Sequence, residues 1–389
     1  MKIGIAGPIL TDSLKRYLNL PAIYPKGLGG ISVNNLIIGL LQLGCKVSVY
    51  TLDINVTRQV ELNGEKLKIY FGEYRRNGRS RMLDCFRKEY KQIEKFIRID
   101  MPDIVNAHWG YEFAIGAIKS GYPHLITLRD VPLEILKLTK DLYRLERLII
   151  NYWVMRNGMH FSANSAYTAE KLKRFKKQLP VISNSILIKY ISENPKELSQ
   201  SKVRIVSILN GWGEIKNPQP ALKAFSTIRK EFGTKVEYHL FGPGYEQNGF
   251  GHSWTRDNDL LDGVFFHGQL PYEQLMNQLR NYDLLLHPSL EESFGMTLIE
   301  AMAQGLPVIA GKYSGAVPWV LNYGKNGILV EVASTKEIAD ALRMLTHDED
   351  LYRQLSSDGI QYVWNNFSED IIAREHLELY RRVLNGQKD

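Results

Sequence analysis

Two glutamates, Glu292 and Glu300, stand with seven residues between them within the run His-Pro-Ser-Leu-Glu-Glu-Ser-Phe-Gly-Met-Thr-Leu-Ile-Glu-Ala-Met-Ala-Gln-Gly, residues 287–305. An apolar strand over residues 284–286 is expected to end at Pro288. A turn carrying Glu292 and Gly295 follows, and then a helix from Met296 to about Gln304 that stops at Gly305. A glycine at the mouth of a helix lets a ligand approach the free backbone N–H groups, and the helix dipole favours phosphate there. Thr297 and Glu300 are three apart and share one helix face. A carboxylate one turn in can accept two hydrogen bonds from a diol such as a ribose. Glu292, in the preceding loop, could grip a sugar hydroxyl. Taken alone, such a pair of glutamates could equally be solvated charges at a helix entrance.

These residues need a scaffold, and the apolar pattern supplies one. Short β-rich runs at residues 3–6, 47–50, 104–107, 125–128 and 160–163 alternate with helical patterns such as 32–43 and 91–99. Alternation of this kind argues for parallel βαβ units. The text turns polar over residues 192–202, a linker signal. The pattern then restarts at 203–209, 236–241, 264–267, 284–287, 308–310 and 328–330. Two successive doubly wound domains are therefore expected, residues 1–195 and 196–368, followed by a charged, tyrosine-bearing helix over 369–389. Ligands of open α/β sheets bind outside the carboxyl ends of the strands.

The chain of 389 residues, 44% apolar and 23% charged, reads as an ordinary globular protein and not a disordered one. Its first apolar run breaks at Gly7, which suits a buried strand better than a signal-peptide core. No run of about 20 apolar residues is present, so nothing is expected to span a membrane. Two cysteines, Cys45 and Cys85, make neither a disulfide framework nor a zinc site, and point to the cytoplasm. Residues 1–200 hold 31 Lys and Arg against 18 Asp and Glu, whereas the remainder holds 18 against 24. The basic half is expected to face something anionic.

The segment Pro-Ser…Glu-Ser-Phe-Gly…Glu-Ala-Met-Ala…Gly-Leu-Pro-Val-Ile-Ala closely resembles the signature of the family-4 retaining glycosyltransferases. The resemblance is strongest over residues 264–330. It implies the GT-B fold: α/β, two Rossmann-like doubly wound domains facing across a cleft, with the C-terminal helix crossing back to the N-terminal domain. By this resemblance Glu300 holds the nucleotide ribose and Glu292 contacts the transferred sugar. The backbone of Phe294, Gly295, Met296, Thr297 and Leu298 holds sugar hydroxyls and the diphosphate. Lys216, in Gly-Glu-Ile-Lys-Asn, matches the lysine that neutralises the leaving group. Gly29 and Gly30 resemble the N-domain glycine loop that approaches the phosphates and the acceptor. Gly268, Gln269 and Leu270 match a base-reading backbone, and Asn184 matches an asparagine with a structural role. No metal or other cofactor is implied, since the lysine and helix dipole serve the diphosphate.

Two positions depart from the pattern. Asn210-Gly211-Trp212-Gly213 stands where many relatives have an arginine, so a phosphate-neutralising charge is missing or comes from elsewhere. Arg129-Asp130 stands where many have His-Asp. Arg129 could supply that charge or position the acceptor; it could also simply pair with Asp130. His108, at a strand end, could contact the acceptor or be a hydrogen-bonded strand-end residue. His267 could line the nucleotide pocket, and Gly242-Pro243-Gly244 reads as a phosphate-side turn. Asp257-Asn258-Asp259 looks like an Asp-x-Asp metal motif, but a lone one in a polar loop is weak. Two basic runs, Arg75 to Arg98 and Lys171 to Lys177, read either as solvated faces or as contacts to an anionic leaflet; no nucleic-acid motif accompanies them.

Together these readings predict a hexosyltransferase that uses a UDP- or GDP-sugar and a carbohydrate or lipid-linked acceptor. It would serve bacterial cell-surface polysaccharide or lipopolysaccharide synthesis, in the cytoplasm or peripherally on the inner face of the membrane. A nucleotide-sugar epimerase of the same architecture, a sugar phosphorylase and a non-catalytic binding module are the rival functions.

Overall fold

The computed structural model describes residues 1–176 and 178–386; Lys177 of the second basic run and residues 387–389 of the expected terminal helix lie outside the described residues. The chain divides into two compact units: Met1–Ser185 together with Ser368–Asp389, and Ile186–Phe367.

The first unit is a seven-stranded sheet of β1 (Lys2–Ala6), β2 (Lys46–Asp53), β3 (Val60–Asn63), β4 (Leu67–Glu73), β5 (Ile104–His108), β6 (His124–Leu128) and β7 (His160–Ala163). Their spatial order is β3-β4-β2-β1-β5-β6-β7, and all neighbours are parallel except the antiparallel β3–β4 pair. The central strands are buried throughout; their few polar side chains, such as Asn106 and Thr127, are bonded to one another at 2.9 Å. The five runs expected from sequence are all strands. The β3–β4 hairpin was not foreseen.

The second unit is all parallel: β8 (Val203–Ile208), β9 (Val236–Phe241), β10 (Val264–Gly268), β11 (Leu284–His287), β12 (Val308–Gly311) and β13 (Ile328–Val330), in the order β10-β9-β8-β11-β12-β13. All six expected runs are strands. Phe225, Tyr238, Leu240, Leu284, Leu342 and Leu345 sit in one of its cores, between sheet and helices.

The helix Glu369–Leu384 belongs to the first unit, where it lies against the helix Ile31–Gln42. The hydroxyl of Tyr380 accepts a 2.7 Å hydrogen bond from Asn106 of β5, a buried polar contact that ties this late helix to the central sheet. The change of unit comes between Ser185 and Ile186, ahead of the polar stretch 192–202, because residues 188–196 already pack on the second unit: Ser192 N donates to Ala303 O, and Lys196 Nζ donates to the carbonyls of Arg280 and Tyr282.

Candidate active site

In a doubly wound sheet the loops leaving the strands on either side of the order reversal converge. In the second unit those strands are β8 and β11. The loop after β8 ends in a short turn, Glu214–Lys216, and the loop after β11 runs from Pro288 to Gly295. Asn217 fastens the first loop: its side-chain amide donates to Pro288 O at 3.1 Å and to Val332 O at 2.9 Å. Leu290 N donates to Ile215 O at 2.7 Å, so the two loops are also joined through backbone.

That knitting places Lys216 beside Glu292. The ammonium donates to Glu292 Oε1 at 2.6 Å, and His287 Nε2 lies 3.2 Å from the same oxygen. Burial alone would raise this carboxyl, but Lys216 and His287 outweigh it and hold Glu292 at about 2. His287 Nδ1 in turn sits 3.2 Å from Thr297 Oγ1. A carboxylate only accepts, so the consistent assignment has His287 donating from Nε2 to Glu292 and accepting the Thr297 hydroxyl at Nδ1. His287 is the last residue of β11, and no role was foreseen for it. Its position at a strand's carboxyl end beside the switch point was the signal that could have found it. Asn217 was likewise missed.

Gly295 opens the helix Met296–Ala303 with φ 87°, a left-handed conformation that L side chains rarely adopt. Phe294 is buried against Trp319 and Phe367, so only its backbone is available to a ligand. Leu298 is buried too, whereas Met296 and Thr297 are half-buried. Glu300 is buried and burial pushes it up to about 7, against a smaller lowering by the Tyr272 hydroxyl. The two glutamates of the signature therefore have opposite electrostatics: one is held charged, the other near its midpoint at neutral pH.

Other expected donor-side residues are spread along the same sheet. Gly268 ends β10; its N–H donates to Tyr245 O and its carbonyl accepts from Gly242 N, so both backbone groups are engaged within the fold. Gln269 beside it is exposed. His267 is exposed on the edge strand, 2.9 Å from His239, and stacks on Phe241 at 4.4 Å. Asp257 of the Asp-x-Asp triplet contacts its neighbour Arg256 at 3.0 Å. Among the described residues no group of three or more His, Cys, Asp or Glu side chains is arranged to hold a metal ion.

In the first unit the reversal falls between β1 and β5. The loop after β1 leads through Gly29 and Gly30 into the helix Ile31–Gln42. Gly30 has φ 113°, and a Cβ there would lie 2.2 Å from Pro8 O, so glycine is required by both conformation and space. A Cβ on Gly29 would point into open space. Asp53, at the end of β2, accepts from Gly27 N at 2.6 Å, and Asn34 clamps both the N–H and the carbonyl of Leu10. The glycine loop is thus held from two sides.

His108 ends β5, beside the β1 loop. Arg129 Nε donates to His108 Nδ1 at 3.0 Å, and its Nη1 donates to Asn184 Oδ1. All three side chains are buried. Burial lowers the Arg129 guanidinium to about 9, and burial together with Arg129 holds His108 well below its ordinary value. Since Nδ1 accepts, His108 carries its proton on Nε2, which is buried without a hydrogen-bond partner. Asp130 accepts from the Tyr111 hydroxyl at 2.8 Å, and Arg147 lies over the Tyr111 ring at 3.4 Å. Burial raises the Asp130 carboxyl. Arg129 thus reaches toward His108 and Asn184, while Asp130 is served by Tyr111.

Comparison with known proteins gives two family matches in tandem. Residues 29–188 match "Glycosyltransferase Family 4" and residues 189–362 match "Glycosyl transferases group 1". N-acetyl-alpha-D-glucosaminyl L-malate synthase of Bacillus anthracis is 31% identical over 192 residues, 49% of each chain; the chain thus spans about half the length of this curated relative. Among solved structures, sucrose-phosphate synthase from Thermosynechococcus elongatus aligns over the whole of both chains with a TM-score of 0.79 at 18% identity. HepE of Anabaena, in complex with UDP, aligns over 98% of this chain and 100% of that one, with a TM-score of 0.68 at 16% identity. Likeness at that identity establishes the two-unit GT-B fold.

Proposed function

Because this chain belongs to the family-4 glycosyltransferases and carries both of the parts their matches describe, we propose that it moves a hexosyl group from a UDP- or GDP-sugar to a hydroxyl of an acceptor, with retention at the anomeric carbon. The observation that carries this reading is the Lys216–Glu292–His287–Thr297 network at the mouth of the Gly295 helix.

The diphosphate binds at the first turn of the Met296–Ala303 helix, where N–H groups and dipole favour anions. Lys216 then exchanges its carboxylate partner for the diphosphate, and Glu292 is released to accept hydrogen bonds from the sugar. Glu300 takes the ribose diol. As the bond from the anomeric carbon to the diphosphate oxygen breaks, Lys216 and the helix N–H groups stabilise the charge that develops on that oxygen. The same oxygen accepts the proton of the incoming hydroxyl, whose oxygen forms the new glycosidic bond on the same face. Leaving-group stabilisation is the protein's main contribution. Arg129, His108 and Asp130 serve the acceptor side, with Arg129 in the place of a missing cation or as the group that orients the acceptor. The setting that fits the basic first half is synthesis of a bacterial cell-surface polysaccharide or lipopolysaccharide on a lipid-linked acceptor, at the inner face of the membrane.

A thermal-shift screen of nucleotide sugars tests this. One donor should raise the melting temperature in a concentration-dependent way. UDP compounds come first, because the Anabaena neighbour is a UDP complex. If no uridine or guanosine diphosphate compound shifts the melt, the reading is wrong. Conversion of the donor sugar without any acceptor would point instead to an epimerase.

A further inference from the structure

The two basic runs of the first unit have different surroundings in the fold. In the first, Arg75 is consumed by Glu89 and Asp84, Lys88 pairs with Glu73, and Arg98 pairs with Glu94. Lys171 and Lys173 of the second run are paired in the same way, with Glu134 and Glu170. The second lies beside an apolar surface that the sequence reading did not register. The helix Leu142–Asn157 buries Ile150, Val154 and Met155, yet Leu142, Leu145, Ile149 and Tyr152 on its opposite face are exposed, Leu142 by 75% and Ile149 by 61%. Their spacing of three, four and three puts them in one stripe. Trp153, at its edge, is also partly exposed.

Cations border this stripe. Lys119 Nζ sits 5.5 Å above the Trp153 ring. Tyr152 meets Phe175 edge-on at 5.8 Å, which brings the stripe against the basic segment 171–176, where Arg174 covers Phe175. Between the helices lies a groove of about 680 Å³, lined by Leu133, Lys137, Leu148, Lys171, Arg174 and Phe175 among others. Residues 132–176 hold nine Lys and Arg against four Asp and Glu.

We propose that this face of the first unit, the stripe of Leu142, Leu145, Ile149 and Tyr152 with its border of Lys119 and the basic segment 171–176, docks on a bilayer of anionic phospholipid. Exposed aliphatic and aromatic side chains enter the interfacial region, and the surrounding cations meet the headgroup charge; each contribution alone gives weak, reversible binding. A second copy of the chain fits the same face poorly, because a two-fold contact sets each patch on itself and would bring the cations together. The proposal deepens the lipid-linked acceptor of the proposed reaction, but its test requires no turnover.

The full chain is floated with vesicles of phosphatidylcholine alone and of phosphatidylcholine with phosphatidylglycerol. Binding is expected to the anionic vesicles, to fall with salt, and to be accompanied by a blue shift of tryptophan fluorescence. Leu145→Ser/Ile149→Ser and, separately, Lys173→Glu/Arg174→Glu should each weaken partitioning roughly tenfold or more. Unchanged circular dichroism and an unchanged UDP isotherm show that both variants are folded. Equal binding to neutral and anionic vesicles overturns the proposal, as do variants that bind like the parent or a dimer that the Leu145→Ser/Ile149→Ser variant dissolves. Vesicle binding without any nucleotide binding would sink the proposed reaction and leave the docking surface standing.

Discussion

The two units solve one geometric problem with opposite electrostatics. Each places a glycine-fronted helix beside the reversal of its sheet, Gly30 in the first and Gly295 in the second. In the second unit the nearby cation, Lys216, is matched by the carboxylate of Glu292. In the first, Arg129 is buried and donates to two uncharged groups, His108 and Asn184. The lesson is that a site can keep its charge ready in two ways. A paired cation is released when an anionic ligand displaces its carboxylate. A cation can also be aimed by hydrogen bonds to neutral side chains, as Arg129 is by His108 and Asn184, which fix its direction without cancelling its charge.

The comparison can be broken first at Lys216. Lys216→Ala should lower turnover by about 100- to 1,000-fold, the range for losing one group that stabilises developing charge, with a far smaller effect on acceptor KM. Equal losses in both would remove its assigned role. Adding Glu292→Gln should cost much less than the product of the single effects, because the two side chains act as a unit.

Arg129→Ala comes next. It leaves His108 Nδ1 and Asn184 Oδ1 without their donor, which should destabilise the protein by about 1–3 kcal/mol in denaturant melts. If Arg129 serves the acceptor as proposed, turnover should fall roughly tenfold or more. Unchanged turnover would reduce Arg129 to a structural residue.

Glu300 sharpens the contrast through pH. Its carboxyl is raised from 4.5 to about 7 in the folded chain. A raised carboxyl favours the protonated fold, so its contribution is complete below pH 4.5 and is lost as pH rises through 7, on the order of 3 kcal/mol in all. Glu300→Gln should therefore melt higher than the parent at pH 8 and show a flatter stability profile between pH 5 and 8. Nucleotide affinity of the parent should weaken as pH falls below 7, because a ribose diol needs an ionised acceptor. A pH-independent affinity would argue against ribose contact. The smallest effect is expected at Thr297→Val, which removes the hydroxyl facing His287 Nδ1 and should cost only a few-fold in turnover, about 1 kcal/mol.

Much of this was legible in the chain. Strands buried on both faces are written as short runs dominated by apolar residues, so eleven of the thirteen strands among the described residues could be read directly. The hairpin of β3 and β4 escaped because β3 is a short edge strand that alternates with polar residues, Val-Glu-Leu-Asn, while β4, buried between β3 and β2, has its apolar run broken by Lys68. Glu292, Glu300 and Lys216 were legible through local spacing and resemblance. His287 was not, since its partners come from the loop after it and from a helix ten residues on, and only the fold brings them together. Charge runs were the least readable feature. Which cations of a basic run are neutralised depends on carboxylates that only the fold brings near, as the pairing of Arg75 with Glu89 and of Lys171 with Glu134 shows.

The hydrogen bond between Asn106 and Tyr380 has a consequence for biosynthesis. The second unit is one uninterrupted stretch of polypeptide, whereas the first is assembled from two separated stretches. On the ribosome the strand bearing Asn106 emerges long before its partner, and it must wait through the entire second unit with that polar group and the adjoining helix face uncovered. The later unit is thus free to complete its fold before the earlier one, and the nascent first unit is the part that most needs chaperone cover.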